Sequence, residues 1–176
     1  LNILPRQKKE YESLTSNLDP IDGERQALIE KRLKDFKAVA VAKIPIDSGA
    51  AVFARNCSIC HRRVSSTGTG IGPQLHGIGS RGAESLAEKI LDPNRNISEA
   101  FRSYTIKTKD GKTLTGLFRR EEGALMIFAD FAGKEFSVAK KDILEQKASR
   151  FSVMPDNFGT TLSQDEFNAL LAYLLN

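Results

Sequence analysis

Five consecutive residues, Cys57-Ser58-Ile59-Cys60-His61, constrain this chain more than any other stretch. They contain both cysteines of the sequence and one of its two histidines. C-x-x-C-H is the attachment signal of a c-type haem, because two thiols at this spacing reach both vinyl groups of the porphyrin. The histidine that follows directly then lies under the iron as an axial ligand. The motif therefore predicts one covalent haem c held by Cys57, Cys60 and His61.

Other uses of paired cysteines fit this motif less well. A redox dithiol usually follows a strand in a βαβ unit, and the sequence around the motif shows no such unit. A zinc site needs more ligands than His76 can add, because the sequence has no second cysteine pair. A plain disulfide would leave His61 without a role. Haem attachment is therefore the favoured prediction.

Size and composition limit the remaining possibilities. The 176 residues are 40% hydrophobic and 27% charged, which suits one globular domain, with or without a small appendage. No apolar run approaches the ~20 residues of a transmembrane segment. The net charge is +4, but the sequence contains no stripe of basic residues interleaved with aromatic ones, so no nucleic-acid partner is expected. No signal peptide is visible, and a mature chain or an excised fragment would explain this.

Two helical patterns precede the motif. Residues 7–18 have the apolar spacing of a short amphipathic helix. Asp22 can cap a second helix over residues 25–42, and Pro45 ends the segment. The apolar stripe of the second helix favours packing on the domain behind it. The alternative is that the segment is a remnant linker or a dimerisation arm. Residues 1–46 are therefore predicted to be either an N-terminal helical extension or a linker.

A helix pair is predicted beside the motif. Asp47 or Ser48 can cap a helix that leads into Cys57, and Gly49 on its face would let another helix approach closely. Residues 163–166 form a capping box that opens a C-terminal helix. The apolar side of that helix consists of Phe167, Leu170, Leu171 and Leu174.

The pattern changes to short β segments in the second half of the chain. Residues 104–109 alternate, and Asp110-Gly111 is a hairpin signal. We therefore predict that residues 104–147 form a small sheet or miniature barrel. Further strands are predicted at 113–118, 124–128 and 135–138, and residues 141–146 are predicted to be a short helical turn or a fifth strand.

The glycine-rich stretch after the motif carries a family resemblance. Together with C-x-x-C-H, Gly72-Pro73-Gln74-Leu75-His76-Gly77-Ile78-Gly79-Ser80-Arg81 resembles the cytochrome c family of His/Met haem proteins. The resemblance covers residues 47–91 and about 150–176. It implies a mainly α cytochrome c fold with an inserted small β-sheet subdomain. The haem domain would span residues 47–176, interrupted by the insertion at 104–147.

The same resemblance implies roles for residues near the haem. The carbonyl of Pro73 would accept a hydrogen bond from the ring of His61, which orients the imidazole and strengthens it as a ligand. Leu75 would pack on the haem face, and Gly72 belongs to the same haem-contacting motif. Arg81 would lie near a propionate, although an ordinary surface arginine is the alternative.

The second axial ligand is predicted from the two methionines of the sequence. Met126 lies inside a predicted strand, where core packing is the simpler role. Met154 precedes Pro155 in a loop of the kind from which cytochrome c proteins present their distal methionine. His61 and Met154 are therefore the predicted metal ligands. The resemblance places His76 away from the iron, and ligation by two histidines stays the alternative.

With both axial positions filled, the iron can change oxidation state but has no position for a substrate. The expected function is electron transfer rather than catalysis, with a haem peroxidase or a haem-based sensor or interaction module as alternatives. Four segments resemble the haem-binding domain near the C-terminus of large secreted propeller-type dehydrogenase proteins. That resemblance implies a dehydrogenase domain as donor, another cytochrome or an oxidase as acceptor, and a periplasmic or otherwise extracytoplasmic location. The segments are residues 90–93, 104–106, 110–116 and 154–155.

Overall fold

A computed structural model of the protein describes residues 22–39, 44–63 and 70–176. This part of the chain contains five α-helices and a five-stranded sheet, so the predicted mainly α fold is only partly confirmed. With five strands, the sheet is a major part of the described fold and not a small addition to the helices. The helices are α1 (Gly23–Ala38), α2 (Ile46–Asn56), α3 (Gly82–Leu91), α4 (Phe158–Thr161) and α5 (Gln164–Leu175), with short 3₁₀ turns at Ile78–Arg81, Glu99–Phe101 and Lys140–Asp142.

The sheet is antiparallel throughout, with the strand order β4-β3-β2-β1-β5. The predicted hairpin is present: Gly111 has φ +84°, and the Thr108 N–H donates to the Lys112 carbonyl at 2.9 Å. The last predicted segment contains both of its alternatives, a 3₁₀ turn followed by a strand. The strands are β1 (Ser103–Thr108), β2 (Thr113–Glu122), β3 (Leu125–Ala129), β4 (Glu135–Ala139) and β5 (Ile143–Ala148).

Helix α1 packs on the domain as its apolar stripe predicts. The Asp22 carboxylate accepts the Glu24 N–H at 3.0 Å and so caps the helix. The helix ends at Ala38 rather than at residue 42, because Val39 is extended. The helix predicted over residues 7–18 lies outside the described residues. The side chains of α1 that join the main helical cluster are Ile29, Leu33 and Phe36.

The predicted caps of α2 are wrong. Pro45, with extended backbone, takes the N-cap position, and the helix begins at Ile46 without a side-chain cap. Asp47 instead lies in the first turn, where its negative charge is favourable near the positive end of the helix dipole.

The predicted close crossing of α2 and α5 is present. A Cβ on Gly49 would overlap the Ala169 carbonyl and lie 2.5 Å from the Tyr173 Cβ, so only glycine allows this approach. The rings of Phe53 and Tyr173 lie 5.6 Å apart. The capping box of α5 is confirmed, because the Glu166 N–H donates to the Ser163 hydroxyl and the Glu166 carboxylate accepts the Ser163 N–H. This rigid crossing supports the end of α2, where the motif begins.

Two apolar clusters lie in the described part of the chain. One joins the helices, and the other, centred on Ile106, Phe128 and Val138, lies in the sheet. The two ends of the sheet segment meet, because the Ser149 N–H donates to the Ser103 carbonyl at 2.8 Å. An insertion that leaves and re-enters a helical domain at one place would have this arrangement. The division at residues 46/47 and the insertion limits 104–147 remain predictions.

Candidate haem site

The two cysteines and the histidine of the motif lie in a single turn at the end of α2. The Cys57 N–H donates to the Phe53 carbonyl at 2.8 Å, which ties the motif to the buried core of the helix. The N–H groups of Cys60 and His61 both donate to the Cys57 carbonyl, at 3.1 and 2.9 Å. Both thiols are free and half-buried. The motif is therefore a compact turn that brings two cysteines and an imidazole together.

The thiols lack the acidity of a redox pair. Burial, and secondarily the neighbouring Cys60, raises the pKa of Cys57 to about 11. Burial also raises the pKa of Cys60. A redox dithiol needs one thiol with a lowered pKa, because the thiolate is the reactive form. Within the described residues, no three His, Cys, Asp or Glu side chains cluster as a metal site. The raised pKa values of the two thiols weigh against the dithiol alternative.

His61 is oriented by the backbone of the following loop. Its Nδ1 lies 2.8 Å from the Pro73 carbonyl oxygen, which is the contact that the family resemblance implies. A carbonyl only accepts, so Nδ1 carries the proton and the lone pair stays on Nε2. Burial lowers the pKa of His61 more than the bond to Pro73 raises it, which favours the neutral ring. A neutral imidazole with a fixed tautomer is the form that binds iron.

The loop that carries Pro73 is held to the motif by backbone bonds. The Gly72 N–H donates to the Cys60 carbonyl at 3.0 Å, and the Leu75 N–H donates to the Arg62 carbonyl at 2.8 Å. A Cβ on Gly72 would lie 2.8 Å from the His61 Cε1, closer than non-bonded carbons approach. The chain therefore needs glycine here to pass beside the imidazole.

An open cleft of about 410 Å³ begins at the second cysteine. Its volume is within the range of small-molecule and cofactor sites. A porphyrin bonded to Cys60 would enter this space, and apolar side chains on both walls suit its flat face. The residues of the chain therefore fit a covalent haem. The lining residues are Cys60 and Ile71 beside the motif, Ser103 and Phe131 from the sheet, and Ser149, Phe151, Ser152 and Val153 from the loop before Met154.

Other predicted site residues lie around the cleft rather than in its lining. Met154 and Leu75 are half-buried and pack against the helical cluster. Arg81 is exposed at the end of a 3₁₀ turn, and His76 is exposed beside the C-terminal end of α5. Met126 packs in the sheet cluster, as expected for a core residue. The structure thus brings Cys57, Cys60, His61, Gly72 and Pro73 together, and the roles of Met154, Leu75 and Arg81 remain predictions.

Phe131 is a cleft residue that the sequence analysis missed. It lies in the turn between β3 and β4 and is 56% exposed. The Asp130 carboxylate fixes this turn by accepting the N–H groups of Ala132 and Lys134, both at 2.9 Å. The sequence signal that could have indicated the role of Phe131 is a large aromatic residue in a hairpin turn of small and charged residues. The sheet therefore supplies part of the cleft wall instead of extending away from it.

Two free thiols, an oriented imidazole and an adjoining apolar cleft are what a covalently haem-binding domain requires. Residues 46–124 match the family model described as Cytochrome c. The matched region includes α2, the motif, α3 and the first two strands, which is less than half of the 176 residues. No curated protein matches the chain.

The family match supports a haem-binding electron-transfer module with a c-type haem. Met154 and α5 lie beyond the matched region, and the dehydrogenase-associated context stays a prediction. No helix in the described part of the chain is long and apolar enough to cross a membrane.

Proposed function

We propose that residues 47–176 form an electron-transfer cytochrome domain with one covalently attached haem. Cys57 and Cys60 would form the thioether bonds, and His61 and Met154 would bind the iron. When bound, the haem supplies a one-electron redox centre. The observation that carries the proposal is the 2.8 Å contact between His61 Nδ1 and the Pro73 carbonyl, beside a cleft that begins at Cys60.

The residues of the chain would tune this centre rather than provide a reaction site. The Pro73 carbonyl orients the imidazole and strengthens its electron donation. The buried side chain of Ile71 and the half-buried Val153 give the cleft part of its apolar lining. A thioether from Met154 favours the ferrous state and raises the reduction potential. If His61 and Met154 both bind the iron, a substrate would have no position on it, so the domain would be an electron carrier and not itself an enzyme.

The proposed partners are proteins. A dehydrogenase domain, within the same polypeptide or separate, would donate electrons, and another cytochrome or an oxidase would accept them. Because cytochrome c domains are usually extracytoplasmic, we assign the protein to the periplasm or another extracytoplasmic compartment. The formal net charge of +4 would assist docking only weakly, because the positive residues are scattered among acids.

The covalent attachment is tested by producing the chain with a c-type haem maturation system. We expect one haem per chain that stays with the denatured polypeptide, and loss of that haem in Cys57→Ser/Cys60→Ser. Ser58→Ala, in the same turn, is the matched control and keeps its haem. Haem that acidified solvent extracts from the wild-type chain would contradict the proposal.

The ligation is tested by absorption spectroscopy of the ferric protein. The wild-type chain should show the weak red-edge band of sulfur ligation, and Met154→Ala should lose it. Met126→Ala, in the sheet cluster, should keep it. High-spin ferric iron in the wild-type protein, together with carbon monoxide binding by the ferrous form, would instead favour the peroxidase or sensor alternatives.

A further inference from the structure

The loop of residues 149–157, between β5 and α4, contains Met154 and is held partly by local bonds. The Met154 N–H donates to the Ser152 hydroxyl at 3.1 Å. The Phe151 N–H donates to the Ser149 hydroxyl at 3.0 Å, and that hydroxyl donates back to the Phe151 carbonyl. These bonds shape the loop but do not fix its position relative to the helices, so other contacts must do so.

Asn94 bonds to both sides of the methionine. Its Oδ1 accepts the Ser152 N–H at 2.7 Å, and its Nδ2 donates to the Asp156 carboxylate at 3.2 Å. Asn94 itself follows two buried residues, Asp92 and Pro93, at the end of α3. Both polar groups of one amide side chain therefore join a fixed helix end to the two positions that flank Met154 and Pro155.

Arg25 adds a second connection from α1. Its Nη1 donates to the Leu91 carbonyl at 2.7 Å and to the Asp156 carbonyl at 3.4 Å. Leu91 is the last residue of α3, where carbonyls lack partners within the helix. The Arg25 guanidinium also lies 4.0 Å from the buried Asp92 and 3.9 Å from the Asp156 carboxylate. One side chain thus joins α1, the end of α3 and the methionine loop.

We propose that Asn94 and Arg25 are positioning residues that hold the Met154 loop in place, so that the methionine stays on the iron. This inference rests on the proposed function. The bonds of Asn94 and Arg25 converge on Ser152 and Asp156, on either side of Met154. They act on the rate at which the ligand leaves. Losing one such hydrogen bond corresponds to about a tenfold change in that rate.

The test is the rate at which imidazole displaces the methionine from ferric iron in the haem-loaded chain. Asn94→Ala should react about tenfold faster than the wild-type chain, because two bonds worth about one net hydrogen bond are lost. Arg25→Ala should react faster by a smaller factor, since Asn94 still holds the loop. Asn96→Ala is the matched control: it is exposed in the same turn, and only its backbone carbonyl is engaged, by Lys89.

The outcomes separate this inference from the proposed function. If Met154→Ala keeps the red-edge band and the wild-type rate, the methionine is not the ligand and the proposed ligation fails. If Met154→Ala loses the band while Asn94→Ala reacts no faster than Asn96→Ala, only the positioning role fails. Should Asn94→Ala not accumulate with haem, Asp156→Ala decides, because it removes only an exposed partner. Unchanged rates in both Asp156→Ala and Arg25→Ala would then overturn the inference.

Discussion

The two loops beside the proposed haem are held in different ways. The loop at residues 71–75 lies against His61 through backbone hydrogen bonds and a glycine contact. The loop at residues 149–157 is held mainly by side chains, those of Arg25 from α1, of Asn94 just beyond α3 and of its own serines. A backbone bond from the Ser149 N–H to the Ser103 carbonyl holds its first residue. Substitutions cannot remove main-chain hydrogen bonds singly, whereas each side-chain hydrogen bond can be removed by one substitution. The histidine side is therefore the rigid half of the site, and the methionine side is the tunable half.

Substituting Gly72 by alanine should have the largest effect, because it disturbs the histidine side, the rigid half of the site. The added Cβ would lie 2.8 Å from the imidazole, so the ring or the backbone beside it would have to shift. We expect a loss of about 1–3 kcal/mol in the free energy of unfolding, typical of overpacking. We also expect an altered ferric spectrum, since the bond from His61 to Pro73 would be disturbed. Denaturant unfolding and absorption spectra of the haem-loaded protein measure both.

Gly23→Ala is the control for that substitution. A Cβ at this position meets nothing within 4 Å, and the residue opens α1, where alanine is favourable. It should leave the spectrum unchanged and the stability equal or slightly higher. If Gly72→Ala behaves like Gly23→Ala, the histidine side is not the rigid half and the comparison is wrong.

Replacing Phe131 by alanine should have a moderate effect, because it changes the cleft wall that the sheet supplies. The loss of an apolar side chain admits water, and water favours the more highly charged ferric form. We expect the midpoint potential to fall by about 20–40 mV, equivalent to about 0.5–1 kcal/mol for one electron. Redox titration followed by absorbance measures it.

Leu144→Ala is the matched control for Phe131→Ala. Leu144 is 69% exposed on the edge strand β5 and is not a lining residue of the cleft. Its loss should leave the potential unchanged. Equal potentials in Phe131→Ala and the wild-type chain would show that the sheet does not shield the haem.

The local parts of the fold could be predicted from the sequence. The hairpin at Asp110-Gly111 and the capping box at residues 163–166 both follow from short-range chemistry. The same holds for the histidine side, since Gly72 and Pro73 come soon after His61 in the chain. These features need few or no distant partners, and they were found.

Most long-range parts could not be predicted; the α2–α5 crossing at Gly49 is the exception, because a glycine on an apolar helix face indicates a close helix contact. Asn94 meets residues 58 and 62 positions away, and Arg25 meets Asp156 at a separation of 131. A single asparagine or arginine in the sequence does not indicate which distant residue it will contact. Phe131 reaches the cleft only because the strand order brings its turn there. The cap of α2 was mispredicted because Pro45 competes with Asp47 and Ser48 for the same helix start.

The smallest effect is expected at the α2–α5 junction, which lies outside both halves of the site. Bonds from the Ser163 backbone and hydroxyl, and then the charge of Arg55, lower the pKa of Glu166. The pKa of a glutamate in the unfolded chain is about 4.3. Because the pKa of Glu166 is lower in the folded protein, its ionised carboxylate stabilises the fold at pH values above about 4.3. This contribution is lost as the pH falls through the folded pKa. The melting temperature of the wild-type chain should therefore exceed that of Glu166→Gln slightly at pH 7.

The difference should shrink as the pH falls below that unfolded pKa, and thermal unfolding over a pH series measures it. Asp165→Asn removes a neighbouring charge in the same helical turn. An equal pH-dependent loss in that variant would assign the effect to the helix dipole rather than to the capping bonds. The ferric spectrum should not change in either variant, because the junction supports both halves of the site without contacting the cleft lining. A spectral change in Glu166→Gln alone would show instead that this helix end is coupled to the haem.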